Sequence, residues 1–325
     1  MQLVRQKENL GAYRARAALA ALVVAALGSG CAAEGAAEAS RPAEAATGQP
    51  AQQGPEVKKP DARKPEGQEA AGPAGALSAY VEKVRRSQKA RAAAAKKWGL
   101  AQTPLAPPPP PAVKPKITTR KGFEVKGGEG LPPVFTTVPT KEKIVFLTID
   151  DGAEKDPELL RMMSELQIPY SAFLSDYVIN DDYGYFEKMR DRGVALHNHT
   201  LNHPYLPGLS YSEQKREICG QQDKLEKRYG TRPRLMRPPY GNYNKDTLRV
   251  AEKCGIEAVP LWASEAFPDH MEWREWDRDL HPGDIILTHF RGKEEWKGTM
   301  PDMIRRVMKT VTSKGYAVAK LEDYV

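Results

Sequence analysis

Cysteine is scarce in this chain, with three in 325 residues at positions 31, 219 and 254. Large apolar residues are almost missing from one whole segment, Glu34 to about Ala76, which is mostly Ala, Glu, Pro, Gly and Gln. Such a composition cannot bury enough surface to offset its ordering entropy, which excludes a packed core there. The uncharged apolar run Ala17 to Leu27 is too short for a spanning helix. Strong charge of one sign is lacking too: the formal net charge is +7. No nucleic-acid motif appears, so nucleic acid is the weakest partner class. Aromatic residues are sparse ahead of Val134 and frequent after it, which leaves room for one core, in the C-terminal part.

What is present begins with a targeting pattern. Arg5, Lys7, Arg14 and Arg16 precede the apolar run, and small residues from Gly28 to Ala33 follow it. That is the layout of a secretory signal over residues 1–33 and predicts export to the cell exterior or cell wall. Cys31 follows Leu-Gly-Ser-Gly, which resembles a lipoprotein cleavage box with its large aliphatic residue one place too far away. Membrane anchoring through a lipidated Cys31 and ordinary cleavage near Ala33 both stay open. Either way Cys219 and Cys254 remain, an even number suited to an oxidising exterior.

Residues 34–116 read as a disordered Ala/Pro-rich linker, with a basic helix over 77–98 and a stiff spacer from Pro107 to Pro111. Between Lys83 and Lys97 stand seven basic residues and no acidic one, a stretch suited to a membrane surface, an anionic wall polymer or simply solvent. A catalytic domain is expected over 117–325, with its core from about residue 137.

From Val134 onward strand and helix signals alternate. Ile144 to Ile149 is a continuous apolar, partly β-branched run, as for a strand buried on both faces. Strand signals recur at Tyr170–Leu174, Val194–Leu196, Leu235–Arg237, Ala258–Leu261, Ile285–Thr288 and Tyr316–Ala319. Helical spacing falls at 156–166, 185–192, 212–229, 245–254 and 300–314. The alternation predicts an α/β fold with a parallel sheet, and seven strands favour a distorted (β/α)7-type barrel over an open sheet. Cys219 and Cys254 would then lie on neighbouring helices, within the ~7 Å Cα separation that a disulfide requires.

In such folds functional groups gather at the C-terminal ends of strands. The first long strand ends in Asp150-Asp151-Gly152. Consecutive side chains on a strand point opposite ways, so both carboxylates share a site only if the chain turns here, which Gly152 permits. Three of the six histidines, His197, His199 and His203, fall within seven residues. His199 and His203 are spaced to meet on one side of a single turn, as first-row metal sites need. Pro204 disfavours helical backbone at His203, so the turn should be isolated. Two further strands end in Arg237-Pro238-Pro239-Tyr240-Gly241 and Leu287-Thr288-His289.

TIDDG, HTLNH, RPPYG and LTH, in this order and spacing, closely resemble the motifs of the polysaccharide deacetylases, the NodB-type carbohydrate esterases of family 4. The resemblance covers about Thr137 to the C-terminus. It implies a distorted β/α barrel and a divalent metal, usually Zn2+, with Co2+, Mn2+ or Ni2+ as substitutes. By motif position Asp151, His199 and His203 are the metal ligands, a two-histidine, one-carboxylate set that leaves a position open. Asp150 is the base and Arg237 its partner. The Tyr240 backbone N–H assists at the oxyanion, and His289 is the acid. Trp262, Leu287 and Pro239 would contact substrate, although for Trp262 and Leu287 plain core packing explains an apolar residue equally well.

One motif departs from the family. After the fifth strand the family carries an Asp and then an Asp-Trp pair that helps orient the histidine. Here the stretch is Trp262-Ala263-Ser264-Glu265-Ala266-Phe267-Pro268-Asp269. Glu265 is the nearest replacement by spacing, and Asp269 the second. The resemblance thus implies a monomeric hydrolase of N-acetyl groups on a cell-wall or chitin-like polysaccharide, peptidoglycan first. An O-acetyl esterase acting on xylan and a weakened, glycan-binding paralogue are the competing readings.

Overall fold

The computed structural model describes residues 73–325. The expected signal segment, Cys31 and the linker up to residue 72 lie outside the described residues. Among those described, no helix is long and apolar enough to cross a membrane.

The first element is helix α1, Pro73–Lys97. It is the expected basic helix but it is not isolated. Ala94, Ala95 and Trp98 are buried in the main core, and helix α2, Pro157–Leu166, lies beneath them. The Arg91 guanidinium donates to the carbonyls of Leu166 (3.1 Å) and Leu105 (2.9 Å). Trp98 Nε1 donates to Glu165 at 2.7 Å. Leu105 bridges to Ala317, and Lys114 donates to the carbonyls of Glu322 and Val325. The described part of the predicted linker, 73–116, is therefore ordered and docked on the domain. Three anchors, Arg91, Trp98 and Leu105, outweigh the alanine- and proline-rich background.

The central strand β2, Ile144–Asp151, is buried at every residue, as its unbroken apolar run requires. It pairs in parallel with β3 (Ser171–Leu174), β8 (Ile285–His289) and β9 (Ala317–Ala319). Strand β3 pairs in parallel with β4, Ala195–Asn198. From β4 a single bridge, Asn198 to Met236, and another, Leu235 to Ala258, lead to β5, Val259–Pro260. The chain continues into β6, Ser264–Ala266, which returns to β8. This circuit is consistent with the distorted barrel.

The segment Leu235–Arg237, expected as a strand, contributes only these bridges. Pro233 and Pro238 flank it, and proline has no N–H to lend to a ladder. Two further features add to the expected set. A short strand β1, Val134–Phe135, pairs with β5, and β7, Met271–Trp273, forms an antiparallel partner to β6.

Between β3 and β4 lie the one-turn helix α3, Asp176–Ile179, and helix α4, Tyr183–Arg190. Helices α5 (Tyr211–Tyr229), α6 (Lys245–Lys253) and α7 (Met300–Ser313) each open with a capping box, which satisfies their first free N–H groups. Cys219 on α5 is disulfide-bonded to Cys254 at the end of α6, with Cα atoms 5.2 Å apart.

Candidate metal and catalytic site

The required turn after β2 is made by Asp151 itself, whose φ is +76°, followed by Gly152 at +102°. A Cβ on Gly152 would lie 2.4 Å from the Ile179 side chain, so the sharp exit needs glycine. Both carboxylates consequently reach one site, and both are buried. After β4 the chain passes Thr200 (φ +70°) and reaches His203 (φ +54°). Two left-handed residues, rather than an isolated helical turn, bring the His199 and His203 rings to 4.9 Å between centroids. Asn198 accepts from the Thr200 N–H, and Thr200 Oγ1 accepts from the His203 N–H, which holds this loop.

Asp151 Oδ1 lies 3.3 Å from His199 Nε2 and 3.4 Å from His203 Nε2. One donor atom from each of the three residues lies within 4.8 Å of the others, so together they could hold a metal ion. Two observations fit a divalent cation. Asp151 Oδ1 is a buried oxygen with no hydrogen-bond partner, at the point where the imidazoles converge. His199 Nδ1 lies 2.7 Å from the Arg237 carbonyl, an acceptor only, so Nδ1 carries the proton and Nε2 is left as a ligand lone pair.

Burial alone would raise the Asp151 pKa, but its close approach to His199 and the charges of His289, His203 and Arg291 hold it far below the usual carboxylate range. Burial pushes His203 down to about 3, which keeps it neutral as a ligand must be. For His199 burial acts downward, yet the neighbouring Asp150 and Asp151 leave its pKa raised.

Asp150 is held by a second set. Arg237, fully buried, donates to Asp150 Oδ1 at 2.7 Å and to Thr148 Oγ1 at 2.9 Å, while its Nε donates to the Pro260 carbonyl at 2.8 Å. Burial pulls the guanidinium pKa down, and Asp150 and Glu265 oppose that pull. Asp150 Oδ2 faces His199 Nε2 at 3.8 Å.

His289 ends β8 directly beside Asp150 in the ladder. Glu265, buried on β6, places Oε1 3.3 Å from His289 Nδ1. Burial lowers the His289 pKa, against the pull of Asp151 and Asp150. Asp269, the second candidate for this partner, pairs instead with His270 on the surface.

Pro239 opens a 3-10 turn in which Tyr240 takes φ +59°. The Tyr240 side chain is exposed, and its ring stacks edge-on to His203 at 4.6 Å. Trp262 is half-buried against Gly241, and Leu287 is fully buried between Thr148 and Glu265 in the sheet. Sequence reasoning missed Arg291, whose Nη2 lies 2.7 Å from Asp151 Oδ2. No motif spacing marks it, because it reaches Asp151 from another strand end.

Three comparisons bear on this arrangement. The family model for polysaccharide deacetylases matches residues 137–259. An uncharacterized protein of Streptomyces coelicolor is 40% identical over 199 residues, covering 61% of this chain and 79% of that protein. The peptidoglycan-N-acetylmuramic acid deacetylase PdaC of Bacillus subtilis is 30% identical over 203 residues, covering 59% of this chain but only 41% of its own length. Among solved structures, a peptidoglycan N-acetylglucosamine deacetylase in complex with a naphthalenyl N-oxidanyl-benzamide superimposes with a TM-score of 0.52 at 20% identity, over 59% of this chain and 92% of that one. This last likeness speaks for the fold.

Proposed function

The chain belongs to the polysaccharide deacetylase family, and from that premise we propose that it is an exported, metal-dependent hydrolase of N-acetyl groups on a cell-wall glycan, peptidoglycan in the first place. The observation that carries the reading is the convergence of Asp151, His199 and His203 beside the buried Asp150–Arg237 pair and the His289–Glu265 pair. Two relatives whose names specify peptidoglycan N-deacetylation support the substrate class. Export rests on the basic residues, apolar run and small residues at the N-terminus, with Cys31 as the candidate anchor.

Asp151, His199 and His203 would hold the ion. A divalent cation there supplies Lewis acidity, polarising an acyl carbonyl and making water easier to deprotonate. Asp150, oriented by Arg237, accepts the proton of the attacking water. The Tyr240 backbone N–H stabilises the developing oxyanion. His289 gives a proton to the departing amine, and Glu265 fixes its tautomer through Nδ1 and favours the charged ring. Trp262, Leu287 and Pro239 form the apolar side that receives the acetyl methyl.

The test is acetate release by the purified full chain from peptidoglycan, chitooligosaccharide and acetylated xylan, with and without a chelator. The reading requires chelator-sensitive release with one free amine per acetate. Release from xylan alone, or release indifferent to chelation, overturns it.

A further inference from the structure

Two adjacent buried carboxylates, Asp150 and Asp151, each face a guanidinium. Arg237 holds Asp150, and Arg291 holds Asp151 through Oδ2 at 2.7 Å. The two arginines differ in setting. Arg237 is sealed in the barrel, whereas the Arg291 side chain is 16% exposed and its other arm reaches Glu295 at 3.2 Å.

The backbone that carries Arg291 is pinned. The Phe290 N–H donates to the Asp150 carbonyl and the Phe290 carbonyl accepts from the Glu154 N–H, both at 3.0 Å, while the buried Phe290 ring packs against Phe186. The approach to Asp151 therefore starts from a fixed backbone position just beyond the end of β8. It also divides the Asp151 carboxylate: Oδ2 is taken by Arg291, while Oδ1 lies 3.3 and 3.4 Å from the two imidazole Nε2 atoms.

Resting on the reading of Asp151 as a ligand, we propose that Arg291 is a built-in counter-ion and positioning residue for Asp151. It compensates that buried carboxylate when no metal is bound and restricts it to donating a single oxygen when one is. An uncompensated buried carboxylate is costly, so the cation-free protein needs Arg291 most. A bound divalent ion compensates the same charge and makes the guanidinium partly redundant. Taking the guanidinium away must then destabilise the metal-free protein more than the loaded one, and by linkage the variant must bind metal more tightly.

The experiment uses the full chain, stripped by chelator and titrated with Zn2+ alone against a competing chromophoric chelator. Thermal midpoints are recorded for the stripped and loaded states. For Arg291→Gln the expected results are a lowered midpoint without metal, a midpoint near wild type with metal, and Zn2+ binding tightened by about tenfold. Arg291→Lys, which restores charge but not the fork, should fall between the two.

Equal losses in both states with unchanged affinity would mean a merely structural arginine and overturn the proposal. Weakened affinity would overturn it as well, since Arg291 would then help the metal rather than stand in for it. Failure of the underlying reading looks different, because the wild-type chain itself would then bind no Zn2+.

Discussion

Replacing Arg237 with Met isolates the electrostatics of the buried pair, because the two side chains are similar in length and the lost volume is small. Arg237 is fully buried and donates to Asp150, Thr148 and the Pro260 carbonyl. Removing one partner of a buried pair costs about 3–5 kcal/mol, since the remaining charge is left without compensation. A domain of this kind has on the order of 5–15 kcal/mol in total. At about 2–4 °C per kcal/mol the midpoint should drop by roughly 6–20 °C. A second substitution separates charge from packing. In chelated wild-type protein, Asp150→Asn removes the anion that compensates a buried guanidinium and should destabilise. In the Arg237→Met background the same change removes an uncompensated carboxylate and should stabilise. Urea midpoints for the four proteins test the reversal of sign, and additive effects of the two substitutions would refute the reasoning.

Four more outcomes are expected. Glu265→Gln should lower kcat about tenfold with metal content unchanged, and the limb of the pH profile that reports the acid should shift to lower pH, because an amide stabilises the imidazolium less than a carboxylate. His289→Ala should cost more, about 10²–10⁴-fold, since it removes the proton donor; a Glu265→Gln profile superimposable on wild type would sink the assignment. Reducing the Cys219–Cys254 bridge, which spans 35 residues, should cost about 3–4 kcal/mol by loop entropy, read as the urea midpoint with and without reductant. Burial alone would raise the Glu322 pKa, but the hydrogen bond and charge of His197, with Ser171, leave it lowered. A depressed carboxylate stabilises the fold above its unfolded pKa, and that contribution is lost as pH falls through the folded value. Glu322→Gln should therefore flatten the acid limb of the stability curve, and an unchanged limb would place the acid sensitivity elsewhere.

The three side chains that could hold a metal ion were legible because each is announced locally, by two carboxylates before a glycine at a strand end and by histidines four residues apart. Tertiary context decided the rest. The docking of α1 and the segment after it rests on scattered residues, Arg91, Trp98 and Leu105 among them, against a background that reads as solvated. The strand expected at Leu235–Arg237 has the right apolar residues but prolines around it, so only single bridges form. Glu265 could be matched by spacing from Trp262. Its approach to His289 required strand β6 to pair with both β7 and β8, which periodicity over three residues cannot announce.

Backbone strain shows where selection for geometry outweighs local preference. Six described residues other than glycine have positive φ, and four of them are Asp151, Thr200, His203 and Tyr240. Each such position costs energy and persists only where its surroundings over-determine it. Here they do. The Asp151 carbonyl accepts from the Ser175 N–H, whose hydroxyl in turn donates to the His199 carbonyl. Asn198, which caps the Thr200 turn, donates to the Ile218 carbonyl and to Gln222 on α5. The disulfide fastens that same helix to α6. The hydrogen bonds that bend the chain at Asp151, His199 and His203 thus run into the helix behind them, so the convergence of these three side chains is held by the fold.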